Sequence, residues 1–320
     1  MNKLTVVMYH YVRRIKQSRY PGIKGLELDD FIAQLRFFKQ NYQVVTMEQV
    51  LAAKRGSGTL PNDALLLTFD DGYVEHFTHV YPILKAMNMQ GSFYVPAKTV
   101  LEHKILDVNK LHFILASGAE HTALLATLKA DLAYYQQSYN LAEYDDYYTE
   151  YAVANRFDSG DVIFIKRMLQ HVLPEALRLI IVDKLFVQHV GVDEATFAQE
   201  LYMDKHQLAE LIRGGMHIGC HGYDHYWWDK LTSSELDDEL SQSKQFLASL
   251  GCNMNQWTAC YPYGSSSESV VKALSEQGCQ LAFTTEVNIA HVMDATCYLL
   301  PRLDTNDFPP KSDNYLKFID

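Results

Sequence analysis

Short apolar runs ending in polar or turn residues recur along this chain, with helical patterns between them. That alternation restricts it to βα units arranged about a parallel sheet. The runs fall at 5–11, 44–46, 64–69, 91–96, 217–220, 257–261, 281–285 and 298–301. Helix signals occupy the gaps. Phe31, Leu35 and Phe38 share one face of a helix over 31–40. Thr46 and Gln49 have capping-box spacing and open a helix that ends near Gly56. Thr232 or Ser233 starts a helix running to Gly251, and the serines at 265–267 start another that stops at Gly278. Eight strands with interposed helices suit a barrel or an open doubly wound sheet. In either case a functional site belongs at the carboxyl ends of the strands.

The rhythm breaks over 100–205, where long helical patterns carry few strand signals; this stretch reads as a helical insertion, leaving 1–99 and 206–320 as the α/β unit. Within it, 131–151 is dense in tyrosine and acid and reads as an amphipathic helix or as a cap whose rings stack on sugars. The 320 residues hold 28 basic and 39 acidic side chains, a net charge of −11, which argues against nucleic acid as a partner. Five cysteines, odd in number and without a CxxC pair, are those of a reduced intracellular protein. The first ten residues read as a strand rather than a signal peptide, and no apolar stretch is long enough for a transmembrane segment. The expected location is therefore cytoplasmic.

Three strand ends carry chemistry. The run Leu65–Leu66–Leu67–Thr68–Phe69 delivers Asp70 and Asp71 to its end, and Gly72 then allows a sharp turn. One carboxylate can bind a metal while the other acts as a base; alternatively, Asp71 caps the following helix. A second run ends at His221, with His225 four residues on; one helical turn would aim both imidazoles at a single ion. One aspartate and two histidines leave coordination positions open, as catalytic metals require. His217, one strand face away, reads as structural. The third run ends in Tyr261–Pro262–Tyr263–Gly264, a rigid turn able to present a backbone N–H to a developing oxyanion.

Together, Thr68–Phe69–Asp70–Asp71–Gly72, the His221 and His225 pair and the Tyr261–Pro262–Tyr263–Gly264 turn resemble, in order, the first three motifs of the polysaccharide deacetylases (NodB-homology, carbohydrate esterase family 4). The resemblance covers about 1–99 and 206–305. It implies a distorted (β/α) barrel of about seven to eight parallel strands and a divalent metal, most often zinc. The implied reaction is hydrolysis of an N-acetyl group on an amino sugar. Residue by residue, it implies Asp70 as general base, Asp71, His221 and His225 as metal ligands, and the Tyr263 N–H as oxyanion donor. The chain departs from the family in two places: Cys260 stands where the third motif usually has arginine, and no C-terminal motif supplies the usual acid histidine. The stretch Met8–Tyr9–His10–Tyr11–Val12 resembles the first strand of the circularly permuted branch, which is similar to the biofilm poly-N-acetylglucosamine deacetylases. That makes His10 the candidate general acid. Arg302 is the candidate replacement for the missing arginine, or a partner of Asp304.

The expected substrate is a nucleotide- or lipid-linked N-acetyl sugar or glycan precursor, with acetate as one product. Hydrolysis of another small amide such as a formamide, and a carbohydrate-binding homologue without catalysis, are the alternatives. The remaining histidines read as structural or as surface residues, with His291 in a loop at the rim.

Overall fold

The computed structural model describes residues 3–154, 158–292 and 297–318. The chain divides into two compact units. The first comprises Met1–Arg14, Gly25–Lys104 and Ala198–Asp320, and the second Ile15–Lys24 and Ile105–Phe197. The second unit takes in 15–24, which the sequence pattern assigns to the barrel, because Tyr20 packs edge-on against Phe113 at 5.0 Å and Phe197 at 5.9 Å.

Eleven strands are described: β1 (Lys3–Tyr9), β2 (Val12–Arg13), β3 (Leu26–Glu27), β4 (Gln43–Val44), β5 (Ala64–Asp70), β6 (Gly91–Val95), β7 (His217–Cys220), β8 (Ala259–Cys260), β9 (Ala282–Phe283), β10 (Ala290–His291) and β11 (Leu303–Asp304). The main sheet runs β10-β1-β5-β6-β7-β8-β9, with β4 paired to β5 and β11 paired to β1. All its pairings are parallel except β1 with β10. Leu300 bridges Phe283 of β9, and β11 then pairs with β1, so the segment between them links the two ends of the curled sheet. This corrects the expected strand at 298–301: only Leu300 pairs there, and the ladder forms at Leu303–Asp304. The expected strands at 257–261 and 281–285 shrink to two residues each, and His291 lies in β10 rather than in a loop.

Central placement explains why β5 is apolar. Flanked by β1 and β6, all seven of its residues are buried. Its two faces part the core by the period-two rule. Leu65, Leu67 and Phe69 pack outward with Phe31, Leu35 and Phe38 of the helix Leu28–Asn41. Leu66 packs inward with Val6, Tyr94, Cys260, Phe283 and Leu300. Thr68 and Asp70 share the parity of Leu66, so the strand alternation itself directs Asp70 toward the inner face.

The predicted caps form. Thr46 with Gln49, and Thr232 with Glu235, make reciprocal capping boxes, and the Ser267 hydroxyl accepts from the Val270 N–H. In the second unit the tyrosine-rich stretch is not one helix. Asn140 adopts a left-handed conformation (φ 50°) and separates His121–Tyr139 from Tyr144–Tyr151. Asparagine tolerates that region because its short polar side chain can bond locally. Tyr144 and Tyr148, four apart, pack on Phe164 at 5.4 and 5.0 Å, while Tyr134 is 78% exposed. Among the described residues no helix is long and apolar enough to cross a membrane.

Gly219 in β7 is where strand packing bears most directly on the site. A Cβ there would lie 2.3 Å from the Tyr94 ring and 3.0 Å from the Thr258 hydroxyl. The overpacking in Gly219→Ala is expected to destabilise the protein by about 1–3 kcal/mol, read as a lower urea midpoint.

Candidate active site

The apolar β5 run ends inside the sheet with a buried carboxylate, and a buried charge needs a partner. Arg302 provides it. Its Nη1 donates to Asp70 Oδ1 at 3.0 Å and to the Thr68 hydroxyl at 3.1 Å, and its Nε donates to the Thr284 carbonyl at 2.9 Å. Its Nη2 lies 2.7 Å from Asp70 Oδ2. Both side chains are essentially inaccessible, at 0% and 2%. Burial alone would raise the Asp70 carboxyl, but the guanidinium more than offsets it and holds the group at about 2. The Cys260 thiol donates to Asp70 Oδ2 from β8 at 3.4 Å. The Nε2 of His10, one residue past β1, lies 3.9 Å from the same oxygen, and its side chain is 42% exposed. Asp70 is thus sealed in while His10 stands at its open edge.

Asp71 leaves the strand with φ 72°, which turns its carboxylate away from Asp70 toward the two histidines. Among the described residues its Oδ1 has no hydrogen-bond partner; it is buried and faces His221 Nε2 at 3.4 Å and His225 Nε2 at 3.6 Å. These gaps are too long for hydrogen bonds. They match the spacing of about 3.4 Å between ligand atoms that sit tetrahedrally about 2.1 Å from a common centre. The other Asp71 oxygen accepts from the Tyr73 hydroxyl at 2.5 Å. His221 Nδ1 donates to the Cys260 carbonyl at 2.8 Å, which aims Nε2 at Asp71. Burial would lower the pKa of His221, but Cys260 and the carboxylates of Asp71 and Asp70 outweigh it and raise the imidazole well above its usual value. A bound cation would therefore take the place of the Nε2 proton. Burial, reinforced by His221, holds His225 down at about 3, so its imidazole is neutral as a ligand requires. Burial would raise Asp71, yet the neighbouring imidazoles, first among them the raised His221, outweigh it and keep the carboxyl well below its usual range. The donor set fits a divalent cation.

The third element is the turn after β8. Tyr263 (φ 58°) and Gly264 (φ 72°) are both left-handed. The Tyr263 ring stacks on Trp227 at 4.4 Å and meets the His225 ring edge-on at 4.6 Å. Every candidate from the sequence is therefore gathered here: His10, Asp70 and Arg302 in one contact chain, and Asp71, His221, His225 and Tyr263 in another. The alternative pairing of Arg302 with Asp304 is not what forms. The Asp304 carboxylate instead caps the short turn Thr305–Asp307, accepting from the Asn306 N–H. His217 is structural, its Nε2 lying 2.7 Å from the Thr258 hydroxyl.

Two contributors escaped the sequence reading. Tyr73 steadies Asp71 as described. His76, in a π-helical turn His76–Val80, is fully buried and held down at about 4 by desolvation, so its neutral Nε2–H donates to the His10 carbonyl at 2.8 Å. Its helix position beyond the aspartate pair was visible in the sequence; its direction back toward β1 was not. Among the described residues the other group with metal-ligand spacing is Asp70, His221 and Cys260, which shares His221 with the first.

Comparison with known proteins follows the same lines. Residues 57–140 and 141–282 match the family model for polysaccharide deacetylase. Over 86 residues the chain is 36% identical to the poly-beta-1,6-N-acetyl-D-glucosamine N-deacetylase of Escherichia coli (strain K12), covering 27% of this chain and 12% of that protein. The chain thus spans about an eighth of the length of that curated relative. Among solved structures, the Streptococcus pyogenes deacetylase PplD in complex with acetate superposes with a TM-score of 0.59 at 16% identity, covering 99% of this chain and 98% of the other. IcaB from Ammonifex degensii superposes with a TM-score of 0.56 at 18% identity, covering 99% and 95%. At these identities the likeness is one of fold. His10 and Arg302 lie outside the residues matched by the family model.

The Asp70–Arg302 pair makes a signed prediction. Because the folded carboxyl is held at about 2 against an ordinary 3.8, its stabilisation of about 2 kcal/mol is fully present above pH 4 and lost as pH falls toward 2. In Arg302→Met the same buried carboxyl has no cation and its pKa rises, so stability is instead lost as pH increases. The deficit of the variant is expected to be about 3–5 kcal/mol at pH 7 and to shrink toward pH 3 in urea titrations. A deficit independent of pH would mean that Arg302 contributes packing alone.

Proposed function

The chain belongs to the polysaccharide deacetylase family, and from that premise we propose that it removes N-acetyl groups from an N-acetylglucosamine-type polysaccharide, releasing acetate. The carrying observation is the adjacency of a sealed, ionised carboxylate, Asp70, to a three-donor cluster, Asp71, His221 and His225, with His10 at the open edge. The polymer is preferred to the nucleotide- or lipid-linked precursor expected from the sequence because the matched Escherichia coli relative is named for a polymeric substrate. With both carboxylates, both histidines and an acid all present, a binding-only homologue has less support.

Asp71, His221 and His225 would hold the metal, and one carboxylate with two imidazoles and an open position suits zinc. When bound, such an ion polarises a carbonyl and lowers the pKa of water. The residues of the chain supply the rest. Asp70, fixed by Arg302, takes the proton of the attacking water. The Tyr263 N–H donates to the oxyanion that develops on the acetyl oxygen. His10, held through its carbonyl by His76, protonates the departing nitrogen so that it leaves as a neutral amine and not as an amide anion. The 42% exposure of its side chain allows it to reach substrate.

Acetate release from poly-β-1,6-N-acetylglucosamine oligomers is expected in zinc-loaded protein and lost after chelation. His10→Ala and Asp70→Asn are expected to lower turnover about 10²–10⁴-fold while still binding zinc. Wild-type turnover in His10→Ala would remove the first strand as the source of the acid. Failure of the zinc-loaded protein to release acetate from the oligomers would overturn the proposed activity.

A further inference from the structure

The turn that separates His221 from His225 is held along both of its edges, and one of the two holds is the buried carboxylate of Glu239. Glu239 projects from the helix Ser233–Ser249 and is 4% exposed. Its Oε1 accepts from the Tyr223 N–H at 2.9 Å and from the Asp224 N–H at 3.0 Å. On the opposite edge, the Gly222 carbonyl accepts from the Ala97 N–H at 3.1 Å and the Tyr223 carbonyl from the Lys98 N–H at 2.9 Å. Lys98 also pairs with the Asp224 carboxylate.

Conformation makes this clamp necessary. His225 sits at φ 59°, a left-handed conformation that a histidine adopts at a cost, and it persists where its surroundings over-determine it. Gly222, at φ 78°, has Glu239 Oε1 only 2.7 Å from where a Cβ would stand, so a glycine is required for the carboxylate to approach the backbone. A free turn of this kind would relax and swing the His225 ring away from Asp71.

We propose that Glu239 is a positioning residue that sets the distance between the His221 and His225 imidazoles and thereby the affinity of the Asp71–His221–His225 cluster for its metal. The inference rests on the reading of those three residues as ligands. Glu239 acts through backbone N–H groups and touches neither the ion nor the substrate. Its role needs an acceptor oxygen at that place, not a negative charge.

Zinc titration of the full-length apo protein against a competing chromophoric chelator tests this, alongside thermal melting of the apo forms. Glu239→Gln keeps an acceptor oxygen and is expected to hold zinc within about threefold of wild type. Glu239→Leu, which leaves both N–H groups without an acceptor, is expected to bind about 10–100-fold more weakly, the usual penalty for losing an outer support of a metal ligand. Glu239→Asp, which draws the oxygen back by one carbon, is expected to behave like leucine and serves should the leucine variant not fold. Unchanged zinc affinity in folded leucine or aspartate variants, with only the melting temperature lowered, would overturn the proposal and leave Glu239 a stability residue. Absence of zinc binding in wild type, or its persistence in His225→Ala, would instead count against the ligand assignment on which the inference stands.

Discussion

The ion pair between Asp70 and Arg302 joins the centre of the sheet to the segment that links its ends. Asp70 terminates β5, the fully buried central strand, and Arg302 lies between Leu300, which bridges β9, and β11, which pairs with β1. The same guanidinium bonds Thr68 and the Thr284 carbonyl, so one side chain connects three parts of the sheet. Neither charge could be buried alone at tolerable cost. The pairing therefore ties closure of the sheet to ionisation of the group proposed as base, and an unclosed sheet would leave that carboxylate without its cation.

Strand parity explains how so many functional groups converge. Leu66, Thr68 and Asp70 share the inner face of β5, as do Val6 and Leu4 of β1, two, then three, steps of two before His10. Leu300 and Arg302 stand in the same relation on the linking segment. The inner face is apolar through the body of the sheet and changes to titratable groups where each strand ends. Because the strands are parallel, those ends lie together. The left-handed residues Asp71, His225 and Tyr263 are the complementary device: each departs from strand or helix geometry at the point where its side chain or backbone must serve the cluster.

This division decides what could be read from the sequence. The strands with long apolar runs, β1, β5, β6 and β7, were legible, as were the capped helices, because period and caps are local properties. The two-residue strands β8 and β9 lie inside longer expected runs, and β11 falls just beyond the run expected at 298–301, since their pairing depends on neighbours rather than on their own pattern. The convergence of Asp71, His221 and His225 was legible because motif spacing and strand ends coincide. The Arg302 contact with Asp70 spans 232 residues and left only a candidate. Glu239 did leave a local sign: it stands with Leu236, Leu240, Ser243 and Leu247 on the buried face of its helix, where a lone carboxylate has to be satisfied by something outside that helix. His76 left a weaker one, since a buried histidine on a helix is more often a packing residue.

Cys260 shows why a departure from the family pattern at one position belongs with a gain at another. Its side chain is fully buried on the inner face, and its sulfur sits 3.4 Å from the Asp70 oxygen that also meets Arg302. An arginine at 260 would add a second guanidinium against one carboxylate, leaving an uncompensated positive charge buried in the sheet. Burial pushes the Cys260 thiol up, so it remains a neutral weak donor and adds no charge. The cation for Asp70 then enters from the linking segment instead of from the third motif, and the charge count around the carboxylate is preserved. The cysteine and Arg302 form one compensated arrangement, in which either half alone would leave a buried charge without its partner or with one too many.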